Sequence, residues 1–85
     1  MEFDIALAEI EAARGRIAGR VRATPTWRSE TLSRRLDADV FLKLECLQLG
    51  GSFKMRGVLN KLATMDEPAR ARGIVTVSGG NHAIA

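Results

Sequence analysis

Two glycine-containing turns hold the residues of this 85-residue sequence with the greatest chemical potential. The first reads Gly50-Gly51-Ser52-Phe53-Lys54 and the second reads Ser78-Gly79-Gly80-Asn81-His82. Each turn follows a predicted strand and precedes a predicted helix, so each offers free backbone N–H groups and the positive end of a helix dipole. In α/β proteins such turns lie at the carboxyl ends of strands, where ligands bind. Because glycine after a strand is most often only turn chemistry, neither turn alone establishes a site.

Lys54 carries the most reactive side chain in these turns. It lies in the predicted first turn of its helix, where the helix dipole and burial favour the neutral amine over the ammonium. A neutral amine is a nucleophile that forms a Schiff base with an aldehyde, a task for which arginine is no substitute. The alternative from position alone is an ordinary exposed lysine at a helix start. The sequence does not match the phosphate-binding loop of nucleoside triphosphatases. That motif places Ser or Thr after its Gly-Lys pair, whereas Ser52 precedes Lys54.

Three other residues have simpler structural interpretations. His82 is the only histidine, and we interpret it as ordering its turn rather than transferring a proton. Cys46 is the only cysteine, which excludes an internal disulfide and a multi-cysteine zinc site, and it is predicted to be a small buried apolar residue. Ser52 is predicted to cap the helix that carries Lys54. No metal site is predicted.

Hydrophobic periodicity predicts the elements that position the turns. Apolar residues at helical spacing predict a helix from Phe3 to about Val21, ended by Thr24-Pro25. A second helix is predicted from Ser29 to about Leu36, with Ser29 as its cap. Over residues 40–44 the aliphatic Val40, Leu42 and Leu44 alternate with other residues, the pattern of a strand with one face in a core.

The second half of the chain continues the pattern of an α/β protein. Helical spacing predicts a helix from Ser52 to about Met65 and a short helical turn from Asp66 to Gly73. Ile74-Val75-Thr76-Val77 is typical of a buried parallel strand, and a last helix is predicted to begin near His82. This order predicts an α/β fold. Since the sequence ends one turn into that helix, we expect it to be the N-terminal part of a longer protein.

Composition and charge exclude several classes of protein. Hydrophobic residues make up 46% and charged residues 27% of the chain, which excludes a disordered tail, a collagen-like repeat and a disulfide scaffold. One cysteine and an acidic start without signal-peptide features favour a cytoplasmic location. No apolar run approaches the roughly 20 residues of a membrane span, so no membrane partner is expected. The net charge of +3 indicates a weak affinity for anions, and no nucleic-acid partner is expected.

Four segments carry a resemblance when they are taken together. In chain order they are Thr24-Pro25, Leu42-Lys43-Leu44-Glu45 with Gln48, Gly51-Ser52-Phe53-Lys54-Met55-Arg56-Gly57 and Ser78-Gly79-Gly80-Asn81-His82-Ala83. They closely resemble the opening of the threonine/serine dehydratases, which use pyridoxal 5'-phosphate (PLP) and have the tryptophan-synthase-β-like fold, fold type II. The resemblance implies a three-layer αβα architecture. It also implies that residues 1–49 begin the large subdomain and residues 50–85 the small subdomain of the PLP catalytic domain.

The resemblance also implies a role for each site residue. Lys54 would hold PLP through a Schiff base and later remove the α-proton of the substrate. Phe53 would pack against the pyridine ring, and Asn81 would hydrogen-bond its 3-hydroxyl. Loss of water from a hydroxyamino acid would end in a 2-oxo acid and ammonia, in an enzyme expected to be a homo-oligomer. The substrate carboxylate would be received by the second turn, which consists of Ser78, Gly79, Gly80, Asn81 and His82.

Other functions remain open from the sequence. Serine racemases carry a second serine at the place of Gly79, where dehydratases typically have alanine, so Gly79 favours elimination over racemisation. Cysteine synthase and threonine synthase share the fold, and a non-catalytic basic anion-binding fragment or an inert fragment belongs to another class. In the family, the glycine-rich phosphate loop and the partner of the pyridine nitrogen lie far beyond position 85. We therefore expect the 85 residues alone to bind PLP weakly and to be inactive.

Overall fold

Helix α1 spans Leu7–Ile17 in a computed structural model that describes residues 4–85. It is shorter than the predicted helix from Phe3 to about Val21, whose first residue lies outside the described part. The helix ends because Ala18 leaves helical geometry with a ψ of 131°. Gly19, with a φ of 76°, completes the turn, in which the backbone N–H of Arg20 donates to the carbonyl of Ile17 at 2.9 Å. The helix therefore ends at this turn, before Thr24-Pro25 is reached.

A two-stranded antiparallel sheet follows α1. Strand β1 spans Thr26–Arg28 and strand β2 spans Phe41–Lys43, with Trp27 opposite Leu42. The strand predicted over 40–44 is confirmed in its central part, whereas the sequence does not predict β1, because three residues between a proline and a helix cap show no periodicity. The residues of β2 are all exposed, so the core face predicted for this strand is not formed by the described residues.

Helix α2 spans Glu30–Leu36 and joins the two strands. Its predicted cap is confirmed, since the hydroxyl of Ser29 accepts a hydrogen bond from the backbone N–H of Leu32 at 3.2 Å. Ser33 is buried, and its hydroxyl accepts from the backbone N–H of Val40 at 2.9 Å. That bond fastens the end of α2 to the start of β2.

Helix α3 carries Lys54 and spans Lys54–Thr64. It packs against α1, and a side-chain hydrogen bond of 2.7 Å joins Arg16 to Asn60 across the two helices. Two short 3-10 turns, Glu45–Leu47 and Leu49–Gly51, precede it. The helical turn predicted after α3 is confirmed as helix α4, Glu67–Ala71.

The segment 74–77 differs from its prediction as a buried strand. It has no strand pairing, and the side chains of Val75 and Val77 are 98% and 96% exposed. The physical reason is that a strand forms only beside another strand, and the described residues supply no strand next to this segment. Helix α5, Asn81–Ile84, follows it and packs against α3.

The surface of the chain is large for its size. Its accessible surface is 6933 Å², whereas a compact monomer of 9.3 kDa exposes about 5,000 Å². Its radius of gyration is 16.1 Å, against about 12 Å expected for a compact domain of this length. Ile17 is the buried apolar side chain of the described region. The helices and strands are therefore those of an α/β protein whose apolar faces are mostly uncovered within these residues.

Candidate active site

Lys54 is the first residue of α3, as predicted, and its side chain is exposed. The ammonium nitrogen lies 5.6 Å from the centroid of the Phe53 ring. Among residues 4–85 this nitrogen has no hydrogen-bond or ion-pair partner. The burial expected around Lys54 is not formed by the described residues, and the side-chain nitrogen is solvent-accessible beside an aromatic ring.

The backbone conformation of the first glycine turn favours glycine at two positions. Gly50 and Gly51 have φ values of 75° and 74°, in the left-handed region that other residues enter at a cost. A Cβ on Gly50 would also lie 3.4 Å from the terminal methyl group of Met55. Ser52 is buried, and its hydroxyl accepts the backbone N–H of Lys54 at a long 3.4 Å. Ser52 therefore contacts the helix start from one residue before the cap position, which Phe53 occupies.

An ion pair ties the region before this turn to α3. The guanidinium of Arg56 donates two hydrogen bonds to the carboxylate of Glu45, from Nε to Oε2 at 2.8 Å and from Nη2 to Oε1 at 2.9 Å. The side chains are 31% and 14% exposed, respectively. Thr24 donates a further hydrogen bond from its hydroxyl to Oε1 of Glu45. Such a two-point contact fixes direction as well as distance.

Gln48 extends this contact to a third segment of chain. The residue is 3% exposed, yet both ends of its side-chain amide have partners. The oxygen accepts from the backbone N–H of Arg22 at 2.8 Å and of Leu49 at 3.0 Å. The nitrogen donates to the backbone oxygen of Arg22 at 2.9 Å and to Glu45 at 3.4 Å. We call the four side chains that meet here the Glu45 cluster, consisting of Thr24, Glu45, Gln48 and Arg56.

The ion pair changes the protonation of its carboxyl group. The hydrogen bonds from Arg56 are the largest influence, and they lower the pKa of Glu45 from 4.5 to about 2 although burial acts in the opposite direction. The same contact raises the pKa of Arg56. Because the folded value for Glu45 lies below the unfolded one, the ionised pair stabilises the fold above about pH 4.5. That stabilisation is lost as the pH falls towards 2, so Glu45 stays charged at neutral pH.

The second glycine turn is exposed throughout its length. Ser78 accepts the backbone N–H of Gly80 at 3.1 Å, and the carbonyl of Gly80 accepts the first hydrogen bonds of α5. The first backbone N–H groups of any helix have no partner within it, so those of Asn81 and His82 point out of this turn. The predicted residues Ser78, Gly79, Gly80, Asn81 and His82 are therefore together and accessible.

The structure brings the two turns to the same helix. α5 packs against α3 and against the 3-10 turn Leu49–Gly51, and Ile84 would lie 3.9 Å from a Cβ on Gly50. The side chain of His82 lines an apolar groove between α3 and the segment 74–76.

Residue type and periodicity do not predict the Glu45 cluster. The alternation of residues 40–45 places Glu45 on the open face of a strand, and Thr24, Gln48 and Arg56 enter only as parts of a resemblance without a role. Periodicity relates neighbours on one element, whereas Glu45 and Arg56 are joined across a loop. The prediction that Cys46 is buried is wrong, since the residue is exposed, because the turn that contains it directs the neighbouring Glu45 inwards.

The part of the chain that the structure describes offers neither a membrane span nor a metal cluster. No helix there is both long and apolar enough to span a membrane. Residues 4–85 also contain no group of three or more His, Cys, Asp or Glu side chains placed to hold a metal ion.

The chain is similar to known enzymes over most of its length. It is 40% identical over 82 residues to the catabolic L-threonine dehydratase TdcB of Escherichia coli K12, covering 96% of this chain and 25% of that protein. It is 42% identical over 79 residues to a serine racemase of Arabidopsis thaliana, covering 93% of this chain and 24% of that one. An L-threo-3-hydroxyaspartate ammonia-lyase of Pseudomonas sp. is 44% identical over 75 residues, which are 88% of this chain and 24% of the relative.

The fold agrees with a solved structure. Maize serine racemase matches with a TM-score of 0.81 and 36% identity, over 95% of this chain and 26% of that one. The chain thus spans about a quarter of the length of the relatives it matches. The family model for pyridoxal-phosphate dependent enzymes matches residues 17–85, which include both glycine turns and the Glu45 cluster. The match to that model and to the racemase structure shows that this chain belongs to the pyridoxal-phosphate dependent enzymes of fold type II.

Proposed function

We propose that these residues are the N-terminal part of a PLP-dependent dehydratase that acts on threonine or serine. Such an enzyme removes water from the amino acid and releases a 2-oxo acid and ammonia. The observation that carries the proposal is the position of Lys54, whose exposed side-chain nitrogen lies beside Phe53 at the start of α3 within the region matched by the family. Relatives named threonine dehydratase and hydroxyaspartate ammonia-lyase support elimination as the reaction.

The residues present fit part of a PLP site. Lys54 offers the primary amine that an aldehyde requires, and Phe53 offers an aromatic surface for the pyridine ring. Asn81, at the start of α5, offers an amide for the 3-hydroxyl. PLP, when bound, supplies an electron sink for the reacting amino acid. The groups for the phosphate and the pyridine nitrogen would come from further along the full-length protein.

The second turn would orient the substrate. Its exposed backbone N–H groups are suited to the carboxylate of an amino acid, the partner that we propose for Ser78, Gly79, Gly80, Asn81 and His82. With the carboxylate held there, the α-carbon would face Lys54, and the lysine amine would remove the α-proton. Holding the two reacting groups in one geometry is the main contribution of these residues to the rate.

Racemisation is the alternative that the comparisons raise. A serine racemase and a threonine dehydratase are similar to this chain to nearly the same degree, so overall identity does not separate them. Gly79 favours elimination, because it lacks the hydroxyl that the racemase reaction uses on the face opposite the lysine. Among the described residues, a Cβ placed on Gly79 meets no heavy atom within 4 Å. These residues therefore give no steric reason for the glycine.

The wider setting of the chain is part of the same proposal. Residues 1–49 would begin the large subdomain of the catalytic domain and residues 50–85 the small one. The full-length protein would be a cytoplasmic homo-oligomer. The apolar surface that these 85 residues leave uncovered is consistent with burial against the rest of such an enzyme.

Turnover of threonine and serine by the full-length protein tests the proposal. We expect 2-oxo acid and ammonia without the D-amino acid, and a loss of at least about 1,000-fold in kcat for Lys54→Ala. Lys61→Ala, on the same helix, is the matched control and should keep its activity. Full activity of Lys54→Ala would contradict the role of this lysine. Formation of D-serine would show that the enzyme is a racemase and not the proposed dehydratase. If the chain were an anion-binding module, there would be no turnover and binding would fall steeply with salt.

A further inference from the structure

The Glu45 cluster lies at both ends of the loop that presents Lys54. Gln48 precedes the glycine turn and Arg56 follows Lys54 by two residues, and both side chains contact the carboxylate of Glu45. The loop between them contains Gly50 and Gly51, the residues with the greatest backbone freedom. The carboxylate of Glu45 therefore joins the two ends of a loop that its glycines would otherwise make flexible.

A third segment anchors this closed loop to the rest of the chain. Thr24 donates to Glu45, and the amide of Gln48 bonds both backbone polar groups of Arg22. In the described residues no buried side-chain nitrogen or oxygen lacks a partner. A polar cluster that is satisfied in this way is rigid, because any displacement leaves a buried group unpaired.

The carboxylate of the cluster is paired with Arg56 and not with Lys54. Arg56 takes both oxygens of Glu45, so the nearby carboxylate is already neutralised by a guanidinium. Lys54, two residues earlier on the same helix, has no anionic partner within the described residues. Its amine is left available while the backbone beneath it is fixed.

We propose that Glu45 is a positioning residue, which sets the start of α3 through Arg56 and Gln48 so that the Lys54 amine meets the PLP aldehyde in one orientation. This inference rests on the proposed function of Lys54. It differs from a purely stabilising role, because it predicts a slower reaction of Lys54 in protein that is fully folded.

The test measures how fast the full-length apoprotein captures added PLP, followed by the change in PLP absorbance under conditions where every variant is folded by circular dichroism. Glu45→Gln keeps the shape of the side chain and removes its charge. We expect its capture rate constant to fall about tenfold, since small misplacements of a reacting group cost one to two orders of magnitude. Asp39→Asn is the matched control, because it weakens an exposed ion pair with Arg28 that is not part of the Glu45 cluster. Its rate constant should be unchanged.

Further variants keep the test decisive if Glu45→Gln does not fold. Thr24→Val removes one hydrogen bond to Glu45 at nearly constant volume, and we expect about a threefold slower capture. Arg56→Lys keeps the charge but loses the two-point contact, and should also slow capture. Wild-type capture rates in the folded variants would overturn the positioning role. If the wild-type protein itself captured no PLP, the proposed function would fail instead, so the two failures are distinguishable.

Discussion

The two glycine turns of this chain are alike in sequence and opposite in how they are held. The turn before Lys54 follows a buried polar cluster, in which Gln48 is 3% exposed. The turn before Asn81 follows a segment in which Val75 is 98% exposed. The first is fixed by hydrogen bonds whose partners all lie between Arg22 and Arg56 of this chain. The second would be fixed by apolar contacts that the described residues do not supply.

This difference shows which part of the site is complete within these residues. Hydrogen bonds and ion pairs need one partner each, and the Glu45 cluster finds all of its partners between Arg22 and Arg56. Burial of a valine or isoleucine is worth about 1.5–3 kcal/mol, but it requires a surface on every side. The segment 74–77 has no such surface among the described residues. The lysine end of the proposed site is thus held by partners within this chain, and the proposed substrate end would depend on the rest of the full-length protein.

Amide hydrogen exchange should show the largest difference between the region before the first turn and the segment before the second turn. In the isolated 85-residue chain we expect the amide of Leu44, which donates to the carbonyl of Pro25 at 2.9 Å, to exchange about tenfold more slowly than an unstructured reference. The amides of Val75 and Val77 should exchange at the reference rate. In the full-length protein these two amides should slow by at least about 100-fold, because they would then pair in a sheet.

The unstructured reference in this experiment is the same chain in concentrated urea, corrected for the effect of urea on intrinsic exchange. Equal protection of Leu44 and Val75 in the isolated chain would show that the two regions are not held differently. Unchanged exchange of Val75 in the full-length protein would show that the segment is not a strand there.

Substitution of one glycine in each turn should show a smaller difference, in the free energy of unfolding. A Cβ at either Gly51 or Gly79 would have open space around it, but only Gly51 of the two has a positive φ, 74°. Gly51→Ala should therefore destabilise the full-length protein by about 1–2 kcal/mol through backbone strain. Gly79→Ala should change the free energy of unfolding by less than about 0.5 kcal/mol. Denaturant unfolding measures both, and equal losses would contradict the assigned difference between the turns.

Much of the local structure is predictable from the sequence, because it depends on neighbours in the chain. The cap at Ser29 and the helix predicted from Ser52, which begins at Lys54 in the structure, follow from residue type and spacing. The order of elements and the recognisable segments around both turns are sufficient to predict the α/β fold and the family. The candidate site residues are also identifiable there, although their roles remain proposals.

The parts that sequence reasoning misses depend on distant partners. The pairing of Trp27 with Leu42 and of Glu45 with Arg56 joins residues across intervening loops, where no periodicity operates. The segment 74–77 has the composition of a buried strand, but a strand also requires a neighbour. The apolar composition of a segment predicts that it will be buried. The described residues supply no surface that buries this one.

The attachment point of PLP tests the proposed role of Lys54 most directly. The full-length protein would be incubated with PLP and reduced with borohydride, which makes the bond between lysine and cofactor permanent, and then digested for peptide mass spectrometry. The 85 residues include three lysines, Lys43, Lys54 and Lys61. We predict the pyridoxyl mass on the Lys54 peptide, its loss in Lys54→Ala and its retention in Lys61→Ala. Label on Lys43 or Lys61 instead, or no label on any of the three, would contradict this role.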